Sequence, residues 1–235
     1  MKLNRLLAKH DSAGRGRAQR WLAARQVRVN GCVTTDGALE VSRFDRVEVA
    51  GALVQAGERA LYIMLHKPAG ILSATCDPQH ATVLDLIDDP GKSELHLAGR
   101  LDRASTGLVL LTNDGAWSKL VTEPVFKLEK TYLVQTREPI HPDAVAAFAR
   151  GFYFHTENLT TRPAGLELLG DKLARVTLRE GRYHQIKRMF HRVGNRVAGL
   201  HRESIGPLSL PAGLPAGNWR HLGAEEVMRV RLACA

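Results

Sequence analysis

The chain has 235 residues, enough for one large domain or a small module plus a medium one. Its 44% apolar content supports a packed core and excludes global disorder, and a formal charge of +9 points to a polyanionic partner, either nucleic acid or a membrane surface. No apolar run approaches bilayer-spanning length, Met1-Lys2-Leu3-Asn4 begins no signal peptide, and Cys32, Cys76 and Cys234 form no CxxC pair, so a soluble cytoplasmic chain without zinc or disulfides is expected.

Leu3, Leu6 and Leu7 mark one helical face, and Ala18, Trp21 and Leu22 another. Asp11 to Gly14 is turn material between them, with Asp11 or Ser12 available as a cap. Val27-Arg28-Val29 alternates as a strand, Asn30-Gly31 is a hairpin turn, and Cys32-Val33 begins the return strand. This region carries Arg5, Lys9, Arg15, Arg17, Arg20, Arg25 and Arg28, with Asp11 the only acid before Asp36. Cations this dense repel one another, and phosphates are the usual compensation; a solvated basic face with no partner is the alternative. Residues 1–50 therefore read as a small RNA-binding module, 51–59 as a Gly-containing linker and 60–235 as a second, larger domain.

Leu61 to Leu65 reads as a central strand running into His66-Lys67-Pro68, where the proline ends the pairing. Lys67 either faces a polyanionic substrate or solvates the strand end. Thr82 to Ile87 fits one or two capped helical turns. The stretch from Gly99 to Gly115 then places Arg100, Asp102 and Arg103 in a polar turn before the apolar strand Gly107–Leu111. Guanidiniums flanking Asp102 complement its charge, and the strand fixes its position, so it is a candidate reactive group. Arg100 and Arg103 can meet the phosphates beside a target nucleotide. Asp114, in Asn113-Asp114-Gly115, is ordinary cap and turn chemistry.

Lys130 to Val134 alternates as another strand, on which Tyr132 is either a core aromatic or a base-stacking one. Pro142 to Arg150 is an amphipathic helix with Val145 and Phe148 facing inward. After a strand over Ala174–Leu178 and a turn at Arg179–Arg182, a helix begins at Tyr183, with Ile186, Met189, Phe190 and Val193 as its buried stripe. Gln185, Arg188 and Arg192 turn away from that stripe. Arg182, Lys187, Arg188, Arg192, Arg196 and Arg202 form a second basic cluster with few acids to pair them. His184 and Gln185 are either RNA contacts or caps. Trp219 is read as core, and Ala224 to Met228 as a short helix.

The order helix, helix, VRVNG resembles the S4 RNA-binding module. Arg15 falls at the arginine of that module's Ser-Arg pair; Gly14 stands at the serine, and Arg25 where a glycine is common. GRLDRASTGL, KTYLV and LREGRYHQIKRM, in that order behind such a module, resemble the RsuA branch of the bacterial pseudouridine synthases over essentially the whole chain. The resemblance implies an α+β fold: a small S4-like module, then a mixed, mainly antiparallel sheet flanked by helices. It also implies that Asp102 is the catalytic carboxylate, Tyr132 lies against the target uracil, Lys187 pairs with the aspartate and Leu178 lines the pocket. The implied partner is 16S ribosomal RNA or a small-subunit assembly intermediate, modified at uridine 516 by a protein acting as a monomer.

Conversion of uridine to pseudouridine breaks the C1′–N1 bond, turns the base and rejoins it through C5. Neither redox change nor group transfer occurs, so no cofactor or metal is expected. An ionised carboxylate can attack C1′, add to C6 or remove the C2′ proton, and the residues do not choose among these routes. Rival readings are an N-glycosylase, which usually needs two carboxylates, a large-subunit synthase of the same family, and a non-catalytic ribosomal RNA-binding or assembly protein.

Overall fold

The computed structural model describes residues 1–10, 14–126 and 128–234. Two compact units divide the chain, Met1–Ala60 and Leu61–Ala235. The expected turn and caps at residues 11–13 lie outside the described residues.

In the first unit, α1 (Leu3–Lys9) and α2 (Gly14–Ala23) precede β1 (Val27–Val29), β2 (Cys32–Val33), β3 (Val47–Val49) and β4 (Ala52–Gln55). The strands form an antiparallel sheet in the order β2-β1-β3-β4. Leu3, Leu7, Ala18, Leu22, Val27 and Val47 make its core. Asn30 and Gly31 both take positive φ, 50° and 80°, which is the backbone a tight hairpin between twisted strands demands. Arg25 is also left-handed (φ 57°), which accounts for the glycine common at that position in the S4 pattern. The stretch expected as a linker is corrected here: β4 pairs with β3, so residues 52–55 belong to the sheet. Gly and Ala around a four-residue strand hid its pattern.

The second unit contains β5 (Tyr62–Lys67), β6 (His96–Leu97), β7 (Thr106–Thr112), α3 (Gly115–Thr122), β8 (Lys130–Thr136), α4 (Asp143–Arg150), β9 (Tyr153–Phe154), β10 (Leu159–Thr160), β11 (Gly165–Gly170), β12 (Leu173–Leu178), α5 (Gln185–Arg192), β13 (Val197–Ile205), β14 (Leu208–Ser209), β15 (Trp219–His221) and α6 (Ala224–Ala233). Among the described residues the main sheet runs β11-β12-β8-β13-β7-β5-β15, with β14 on β13 and β6 on β7. Its pairs are antiparallel except β13 with β7. This is the mixed, mainly antiparallel α+β architecture expected.

Alternation along the strands builds a core on each face. Ile63, Leu65, Val109, Leu111, Val134 and Val176 pack beneath Phe148 of α4 and Ile186, Met189 and Phe190 of α5. Met64, Leu108, Leu110 and Ile205 face Trp117 and Val121 of α3 and Val227 and Val230 of α6. Asp114 caps α3, accepting from the Ala116 and Trp117 N–H groups. Trp219 packs against the first core, as expected. Val145 instead stays 39% exposed while Phe148 is buried, and α5 starts at Gln185 rather than Tyr183.

Candidate active site

Asp102 sits in the loop between β6 and β7, and that loop is fastened on three sides. The Ser73 hydroxyl donates to the Leu101 carbonyl (2.7 Å) and accepts from the Leu101 N–H (3.1 Å). Gly70 donates its N–H to the Arg103 carbonyl (2.8 Å), and Arg103 Nε returns a bond to the Gly70 carbonyl (3.0 Å). Beneath them Lys67 Nζ donates to the carbonyls of Pro68, Arg103 and Ser105 at 3.0, 3.2 and 2.8 Å. Lys67 therefore corrects its assignment as an RNA-binding residue. Its side chain is fully buried and holds the loop from inside, matching three ammonium donors to three carbonyls. Burial pushes this ammonium down to about 8, with the charge of Asp102 acting in the opposite direction.

The strand after the loop is pinned by a glycine and an arginine. Gly107 has φ +107°, and a Cβ there would lie 2.3 Å from the Arg202 carbonyl oxygen, so no side chain fits where β7 meets β13. Arg202, only 2% exposed, donates through Nε to the Leu108 carbonyl (2.7 Å) and through Nη1 to the Arg100 carbonyl (3.3 Å). It thus ties β13 to β7 and to the residue two before Asp102. In sequence Arg202 reads as one more member of a basic cluster; its burial follows from its register opposite Gly107 and Tyr132, which only the folded sheet reveals.

Opposite the loop, α5 and the residue just before it each deliver one group to the carboxylate. Lys187 Nζ donates to Asp102 Oδ2 at 2.7 Å, and His184 Nε2 lies 3.4 Å from Oδ1. His184 precedes the helix in a left-handed conformation (φ 49°), its ring stacked on that of Tyr183 at 3.9 Å. Gln185 is a correction. Expected to turn outward, it is 3% exposed, donates to Glu180 Oε1 (2.6 Å) and accepts from the Arg182 N–H. Glu180, read from sequence as part of a turn, is buried and also accepts from the Arg162 N–H and from Arg182 Nε. The basic cluster is better paired than its sequence suggests: Arg182 and Arg188 converge on Glu157, and Arg188 lies 3.6 Å over the Phe154 ring.

Between loop and helix opens a cleft of about 260 Å³ whose lining includes Asp102, Lys187, Tyr132, Leu178, Lys130 and Arg202. The β8 register places Tyr132 beside Arg202 and Val176, and Lys130 beside Leu178. Tyr132 is 7% exposed, so it is both a core aromatic and a wall of the cleft. Arg100 is exposed at its edge. In the first unit Arg5, Arg15, Arg17, Arg20 and Arg28 are all exposed. Arg5 and Arg15 line one groove with Lys9, Arg17 lies 4.9 Å over the Trp21 ring, and Arg28 donates to the Gly31 carbonyl. Among the described residues no helix is long and apolar enough to cross a membrane.

Residues 61–192 match the family described as RNA pseudouridylate synthase. The chain belongs to this family. The synthase is 50% identical over 230 residues to ribosomal small subunit pseudouridine synthase A of Pseudomonas aeruginosa, covering 98% of this chain and all of that protein. The protein of the same name from Escherichia coli is 41% identical over the same shares. A crystal structure of a pseudouridylate synthase matches with TM-score 0.71 and 37% identity, covering 98% of this chain and 99% of that one. The family and these relatives agree with the RsuA-type resemblance, and they make the protein an isomerase rather than a hydrolase.

Proposed function

We propose that this synthase isomerises one uridine of small-subunit ribosomal RNA, uridine 516 by its resemblance to the RsuA branch, with Asp102 as the catalytic carboxylate. The observation that carries the reading is the Asp102–Lys187 pair, held at 2.7 Å in a cleft lined by Tyr132 and Leu178. The names of relatives at 41–50% identity support the substrate class.

The reacting bond of a stacked nucleotide is out of reach, so the uridine turns out of its strand into the cleft. Arg100 and Arg103, both exposed residues, grip the flanking phosphates in this reading. Lys187 and the fastened loop orient the Asp102 carboxylate toward the ribose, which is positioning achieved before substrate arrives. Tyr132 and Leu178, on paired strands, line the cleft with a flat ring and an apolar side chain against which a detached base is retained while it turns. The S4-like first unit, with Arg5, Arg15, Arg17, Arg20 and Arg28, adds affinity for the phosphate backbone without reading sequence. Arg182, His184 and Arg188 extend the RNA path along the start of α5.

The test is release of tritium from C5-labelled uridine in unmodified small-subunit RNA, both naked and in assembly particles, with large-subunit RNA as control. Release at one small-subunit position, missing from the RNA of cells lacking the protein, is the expected result. Release from large-subunit RNA alone would overturn the substrate assignment.

A further inference from the structure

The cleft holds more positive charge than Asp102 can answer. Lys187 already neutralises the carboxylate, yet Arg202 and Lys130 line the same cavity. Among the described residues, Arg202 Nη2 and Ser105 Oγ are buried polar atoms with no hydrogen-bond partner, and both residues line this cleft. Lys130, two residues before Tyr132 on β8, shares its face. An orphaned guanidinium N–H in a site 2% exposed is costly unless something fills it during function. A flexible phosphate backbone is met by exposed cations; these two instead line the cleft that holds Asp102.

We propose that Arg202, through Nη2, and Lys130 hold the detached base as an anion, donating to its carbonyl oxygens. This rests on the assignment of Asp102 as the carboxylate of this site. When C1′–N1 breaks, its electron pair goes to N1, and the base becomes a monoanion with charge shared onto its two carbonyl oxygens. Asp102 meets the deficit at C1′, either by bonding to it or by taking the C2′ proton. After rotation C5 supplies a pair to C1′ as the carboxylate leaves C1′ or, on the other route, returns its proton to C2′; the C5 proton then leaves to water and N1 takes up a proton, so product and substrate are isomers. Neutral uridine gains little from two cations, whereas the anion gains much, so their contribution falls on the bond-breaking step.

Burial and the neighbouring Arg202 bring the Lys130 ammonium down to about 8. The other titratable or charged groups around it in the cleft are Arg100 and Asp102 from the loop, Tyr132 on its own strand, and Arg182, His184 and Lys187 at the start of α5. A required Lys130 cation is present below that value and lost as pH rises through it. The test is the single-turnover rate at saturating RNA from pH 6 to 10 for wild type, Lys130→Met, Lys130→Arg and Asp102→Asn, with RNA binding measured in parallel. Expected are a Lys130→Met rate reduced about 100-fold at neutral pH with unchanged RNA affinity and, because Lys67 beneath the loop also lies at about 8, a fall above about pH 8 that is shallower in Lys130→Arg than in wild type. Arg202→Lys, which keeps a charge but cannot span both carbonyls and the base, should also slow the step. If Asp102→Asn is inactive while Lys130→Met keeps the wild-type rate and pH profile, the anion-holding role is overturned and the carboxylate assignment stands. If Asp102→Asn is active, the underlying assignment falls first.

Discussion

The two units use the same residue types to opposite ends. In the first, Arg5, Arg15, Arg17 and Arg20 stand exposed on two short helices, with the core kept to Leu3, Leu7, Ala18 and Leu22 beneath. In the second, Lys67 and Arg202 are buried, and they serve backbone carbonyls that shape the loop around Asp102. An exposed cation contributes affinity that salt can screen, whereas a buried one contributes geometry that salt cannot reach. Charge alone therefore says little about function until burial is known.

That contrast can be broken at several points. Gly107→Ala should have the largest effect on folding. Its Cβ would meet the Arg202 backbone at 2.3 Å in a left-handed conformation, so overpacking and strain together should cost about 3 kcal/mol or more. Thermal unfolding of the second unit reads this, and an unchanged melting temperature would show that β13 moves freely. Lys67→Met comes next. It strands three carbonyls, that of Ser105 in a buried site, so about 2–3 kcal/mol of stability should disappear together with activity, even where RNA binding persists. Arg5→Ala with Arg15→Ala should leave melting and the saturated single-turnover rate unchanged. RNA affinity should fall, and the salt slope should shrink by about 0.7–0.9 for each phosphate no longer neutralised.

The smallest effect is expected at Glu226, which accepts from the Gly223 N–H and forms a two-pronged pair with Arg220. The Arg220 hydrogen bonds, helped by the Gly223 N–H, bring its carboxyl down to about 2. A depressed carboxyl stabilises the fold above its ordinary value near 4.5 and loses that contribution as pH falls toward 2. Glu226→Gln should thus melt slightly lower at neutral pH and converge with wild type in acid. A gap that persists at low pH would mean the effect is packing rather than charge.

Features governed by neighbours in sequence were legible: the Asn30-Gly31 hairpin, the Asp114 cap, the apolar run of β7 and the Asp102 loop before it. Features governed by distant partners were not. Lys67, Gln185 and Arg202 look like surface residues because burial of a charge or amide depends on partners 36 to 102 residues away for the two cations. Gln185 depends on the buried Glu180, whose own role comes from Arg162 as well as Arg182. Strand β4 was hidden for another reason, since four residues without strong alternation are claimed only by the edge of β3. The Asp102–Lys187 pair was suggested by family resemblance, and a sequence separation of 85 offered no local route to it.

The most direct measurement is single-turnover tritium release from C5-labelled uridine in small-subunit RNA by Asp102→Asn. The substitution keeps shape and the loop's backbone bonds while removing the charge that faces Lys187. RNA binding and melting close to wild type, with release abolished, is the predicted result. Release at a near-wild-type rate would contradict the placement of the chemistry at Asp102.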